Sequence, residues 1–85
     1  MMDKEMKERV ITAIQCTYEY IASDLAECSR ACGEEFTLEH AIEGAIDADR
    51  VVDYGHDKEA AAALHALKNC SAMKKLGKEA LKEYF

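Results

Sequence analysis

Between Ile11 and Cys32 apolar residues fall at Ile11, Ile14, Tyr18, Ile21, Leu25, Cys28 and Cys32, a spacing that alternates three and four. This is the period of a helix packed along a seam, whereas a strand would bring every second residue to one face. A second stripe of Met6, Val10, Ala13, Thr17 and Tyr20 runs beside it and widens the apolar face to what two neighbours would cover. The pattern predicts a first helix from about Asp3 to Cys32, with Asp3 as N-cap and Gly33 as left-handed terminator. Arg9, Cys16, Ser23 and Arg30 are placed on its wet side.

Thr37 is suited to cap the next helix, with Phe36 folding back on Ala41 or Ile42 as a hydrophobic staple. That second helix is read from Leu38 to Tyr54, burying Leu38, Ala41, Ile42, Ala45, Ile46, Ala48 or Asp49, and Val52, and ending at Gly55. Asp57 then caps a third helix through Ala60, Leu64, Leu67, Cys70, Met73 and Leu76, which Gly77 stops or kinks. The remainder is helical by propensity and ends in Leu81, Tyr84 and Phe85.

At 1.5 Å per residue the first helix is about 44 Å long and the next two are about 25 and 28 Å. One short helix cannot cover the long seam. The expected architecture is therefore all-α, a single domain over residues 1–85. It is a three-helix up-down-up bundle with a long first helix and a short C-terminal helical segment, and a homodimer that buries the overhang.

Composition narrows the function classes. The chain has no proline, 49% hydrophobic and 33% charged residues, and a net charge of −6, a balance that disfavours unaided binding to nucleic acid or an anionic membrane. No stretch is long and apolar enough for a membrane span or signal peptide, and the four cysteines carry no disulfide spacing, so the expected setting is cytoplasmic.

The charge is unevenly spread. Residues 1–33 hold six acids and four bases (−2), residues 34–57 hold eight acids and one base (−7), and residues 58–85 hold three acids and six bases (+3). Glu35, Glu39, Glu43 and Asp47 recur every four residues along the second helix, with Asp49 and Asp53 as a second row. A solvated face explains such a row without function. A rigid ladder of carboxylates can also steer a basic protein surface, or stand in for the phosphates of a nucleic acid.

Reaction chemistry is weakly marked. His40 with Glu43, or Asp53 with His56, lacks the second matching pair that a carboxylate-bridged metal site needs. Cys28 and Cys32 share a face and with Cys70 and a histidine could ligate zinc, but both fall on the seam, where a thiol packs as a small hydrophobe. Cys16 has no cation one turn away to activate it, and no phosphate loop or activated serine occurs.

The expectation is thus a non-catalytic adaptor or regulator without cofactor or metal. It would bind the basic surface of another protein through Glu35, Glu39, Glu43, Asp47, Asp49 and Asp53. The runner-up is a nucleic-acid-mimicking inhibitor of a nucleic-acid-binding protein, and a metal-dependent helical enzyme comes third.

Overall fold

The computed structural model describes residues 3–68 and 70–85. Among them the chain forms α1 (Lys4–Ala31), α2 (Leu38–Ala45), α3 (Ala48–Tyr54), α4 (Lys58–His65) and α5 (Ser71–Leu81), closed by one 3-10 turn at Lys82–Tyr84. The expected caps are in place: the side chains of Asp3, Thr37 and Asp57 accept hydrogen bonds from the amides of Met6, His40 and Ala60. Gly33, at φ 74°, ends α1, and the Glu34 amide returns to the Ser29 carbonyl at 2.9 Å.

Two expected helices are each divided. The second breaks after Ala45 because Asp47 takes an extended backbone and its carboxylate accepts the Asp49 amide at 3.0 Å. A short acidic side chain that satisfies a free amide starts a helix better than it continues one. The third expected helix passes over position 69, outside the described residues. It stops at His65, where the amides of Leu67 and Lys68 close tight turns onto Leu64 and His65.

Gly77 neither stops nor kinks α5; it lies buried in its interior. A Cβ there would fall 2.7 Å from Ile46 Cγ2 and 2.9 Å from Ile42 Cγ2, so the missing side chain is what lets α5 lie against α2.

The result is a spine with two pairs of short helices laid along it. A 28-residue helix is about 42 Å long, which matches the 39 Å long axis of the molecule. The pair α3–α4 covers the N-terminal half of α1, where Gly55 packs on Ala13 and Arg9 reaches Asp57. The other pair, α2–α5, covers the middle and C-terminal half, with Gly44 against Leu25 and the Gln15 side chain donating to the Ala80 carbonyl.

Between them lies a core built on Val10, Ile14, Val51, Leu64 and Leu81, all fully buried. Thr17 is also fully buried, its hydroxyl donating to the Ala13 carbonyl at 2.8 Å. No helix of the described residues is long and apolar enough to cross a membrane.

The seam is used over most of its length but not at its end. Ile14, Tyr18 and Ile21 are buried and Leu25 half-buried, whereas Cys28 and Cys32 are exposed. They share the face of Ile14, but α2 packs on the side of Leu25 and Ser29, so the last turn of α1 is covered there and left open on the side of Cys28 and Cys32. Of the second stripe, Val10, Ala13 and Thr17 are buried while Tyr20 is exposed. On the expected wet side, Cys16 and Arg9 are half-buried.

Candidate functional site

All six carboxylates singled out from the sequence are exposed. Glu35 lies in the loop before α2, where the chain has just turned at Gly33. Glu39 is in the first turn of α2, where the positive end of the helix dipole favours it. Glu43 follows one turn later. Asp47 caps α3, Asp49 is in its first turn, and Asp53 in its last.

The break at Ile46 and Asp47 divides the row. Only Glu39 and Glu43 keep the helical spacing of four on α2; Glu35 precedes the helix in the loop, and Asp47 leaves the ladder to become the junction between two helix axes.

The other two acids of residues 34–57 have partners within the fold. Asp57 accepts a forked hydrogen-bond pair from Arg9, at 2.8 and 3.1 Å, while Glu59 accepts from the same guanidinium at 3.1 Å. The Ala60 amide and then Arg9 hold the Asp57 carboxyl below the usual aspartate range, and Asp57 together with Glu59 raises the guanidinium in turn. The contribution of Asp57 to stability is therefore present above its ordinary range and lost as pH falls through its lowered folded value. Glu34 Oε2 faces His40 Nε2 at 3.4 Å.

None of the six predicted carboxylates enters an ion pair among the described residues. Arg50, the one base of the segment, turns instead toward the Gly44 carbonyl at 3.4 Å.

Two depressions border this face. One, of about 380 Å3, is walled by Cys28, Cys32, Glu34, His40, Glu43 and Asp47. The other, of about 240 Å3, has Ile42 and Ile46 at its floor, Glu39 and Glu43 along one rim and Lys74, Lys75 and Lys78 along the other.

The first contains a linkage that the sequence did not reveal: Ser29 Oγ lies 3.2 Å from His40 Nδ1, and His40 Nε2 faces Glu34. The order serine, histidine, glutamate is that of a nucleophilic relay. Ser29, however, is nearly buried, and it belongs to the last turn of α1, where unpaired carbonyls and the negative end of the dipole oppose a developing oxyanion. The linkage instead fastens the loop between α1 and α2. Its sequence signal was the interval of four from Ile21 to Leu25 to Ser29, masked by the competing step of three to Cys28.

Comparison with known proteins gives no matching family model, no matching curated protein and no matching solved structure. Among the described residues no group of three or more His, Cys, Asp or Glu side chains is gathered so as to hold a metal ion. Cys70, considered with Cys28 and Cys32 as a zinc ligand, lies instead before α5 in a depression with Ile46, Ser71, Met73 and Lys74.

Proposed function

We propose that this chain is a small acidic, non-catalytic protein-binding module, an adaptor or regulator of the cytoplasm, that docks on a basic surface of another protein through α2 and α3. The observation that carries this reading is the separation of the acids into two sets. Asp57 and Glu34 serve the fold, while Glu35, Glu39, Glu43, Asp47, Asp49 and Asp53 are exposed without a cation at ion-pair distance among the described residues. Like charges held together on a small surface raise the local potential and attract a basic partner at short range, within about 8 Å in physiological salt.

The test is binding to a dye-labelled nona-arginine peptide followed by anisotropy. Replacing Glu39, Glu43 and Asp49 by the corresponding amides should weaken binding about tenfold or more. The charge-matched control with Glu5, Glu8 and Glu83 made glutamine should change it less than about twofold. Equal losses in the two variants would reduce the face to a solubilising surface.

A second reading, that of a homodimer, is favoured by the groove over Ile42 and Ile46. Its acidic and basic rims are self-complementary under a two-fold axis, so that Glu39 and Glu43 of one copy would meet Lys74, Lys75 and Lys78 of the other. Asp47, Asp49 and Asp53 would then remain for the partner. Sedimentation should show a salt-sensitive dimer that E39K/E43K weakens and that K74E/K75E, added to E39K/E43K, restores. The mimic of nucleic acid has less support, since the loop position of Glu35 and the bend at Asp47 confine regular helical spacing to Glu39 and Glu43.

A further inference from the structure

Exposed aromatic surface collects where α1 meets the end of α3. Tyr20 and Tyr54 stack with centroids 5.7 Å apart and planes 27° from parallel, and the His56 ring stands edge-on to Tyr20 at 6.5 Å and 89°. Tyr20 is nevertheless 64% exposed and Tyr54 41%. No side-chain hydrogen bond fastens either hydroxyl among the described residues.

The backbone that presents this cluster is tightly constrained. At Gly55 a Cβ would lie 2.7 Å from the Val51 carbonyl oxygen and 2.9 Å from that of Ala13, so only glycine lets α3 end flush against α1. His56 then takes a φ of 55°, uncommon for a residue with a side chain, before Asp57 caps α4.

Acidic residues stand close to both tyrosines along the chain. Asp24 is one turn beyond Tyr20 on α1, and Asp53 directly precedes Tyr54. Both are exposed and neither enters an ion pair among the described residues. Arg50, one turn before Tyr54 on α3, is directed to the Gly44 carbonyl.

We propose that the Tyr20–Tyr54 stack, with Asp24 and Asp53 beside it, is the anchor for an arginine side chain of the basic partner. This deepens the acidic-face reading and rests on it. A planar guanidinium can lie over an electron-rich ring while its edge donates to a carboxylate, whereas the compact, strongly hydrated ammonium of lysine gains less from the same surface. Because the two rings already hold each other, little side-chain freedom is left to lose when the ligand arrives. The row Asp49–Asp53 along α3 leads toward the anchor, so a basic segment following the acidic face would end on the tyrosines.

The experiment compares dye-labelled nona-arginine with nona-lysine on wild type, Tyr20→Ala and Tyr20→Phe, with circular dichroism to verify the fold of each variant. Tyr20→Ala should weaken the arginine peptide about threefold and leave the lysine peptide unchanged, and Tyr20→Phe should keep the wild-type ratio. An arginine-to-lysine ratio that Tyr20→Ala does not alter overturns the anchor while leaving the acidic face intact. Failure of both peptides to bind wild type overturns both. Should Tyr20→Ala disturb the fold, Tyr54→Leu, which keeps an apolar contact but removes the stacked ring, is read against the same two peptides.

Discussion

Tyr18 and Tyr20 are two residues apart on α1, about 200° around its axis, and the molecule uses them in opposite ways. Tyr18 is buried beneath the C-terminal aromatics, with Tyr84 edge-on at 5.0 Å and Phe85 tilted at 6.2 Å, while Phe36 lies 5.9 Å from Phe85. That cluster is fastened: the Tyr84 hydroxyl donates to Glu19 at 2.8 Å, which together with burial pushes its pKa up to about 12. Burial likewise raises the Tyr18 phenol. Tyr84 and Phe85 are themselves 40% and 54% exposed, so what the Tyr20–Tyr54 pair lacks is a ring as buried as Tyr18 and a hydroxyl fastened like that of Tyr84. Ring-to-ring contact alone therefore does not distinguish a packing element from a binding surface; the burial of the individual ring does.

The largest effect should come from Tyr18. Tyr18→Ala removes a buried ring and should lower unfolding stability by about 3 kcal/mol in urea titrations, whereas Tyr20→Ala should change it by less than about 0.5 kcal/mol. Equal losses would erase the distinction.

Gly55→Ala should cost about 2 kcal/mol, because the new methyl meets backbone oxygens that cannot rotate away. It should also disturb the Tyr20–Tyr54 stack, visible as altered tyrosine emission in a chain that has no tryptophan.

Tyr84→Phe should have the smallest effect, at most about 0.5 kcal/mol near neutrality, because the bond to Glu19 is exposed. Its pH dependence is the sharper readout. The protonated phenol is favoured in the fold, so its contribution is present below the ordinary value of 10.0 and lost as pH rises through about 12. The stability gap between wild type and Tyr84→Phe should close over that window and remain constant below it.

The helical class, the caps at Asp3, Thr37 and Asp57, and the burial of Ile14, Tyr18 and Ile21 were legible because each depends on local sequence. The number of helices was not. Asp47 satisfies both the spacing of an acidic ladder and the chemistry of an N-cap, and only packing decides between them: α2 turns to α5 and α3 to α4. Gly77 was ambiguous for a related reason, since glycine weakens a solitary helix but enables a close crossing, and the crossing partner, Ile42 with Ile46, lies far away in sequence. Cys28 and Cys32 show the limit of periodicity, which marks the face a helix can bury but not where its neighbours stop. The exposure of all six acidic candidates follows directly from charge, whereas the pairing of Tyr20 with Tyr54 joins elements that no spacing rule connects.

The Gly55–Asp57 turn joins α3 and α4 as neighbours in the chain, while α2 and α5 meet only across residues 46–70. Closing a long loop costs more entropy than closing a short one, so the hairpin can settle on the spine before the terminal helix returns. The half of the molecule carrying the tyrosine stack should accordingly acquire amide protection first, and α5 should be the first helix to release its protons to deuterium exchange.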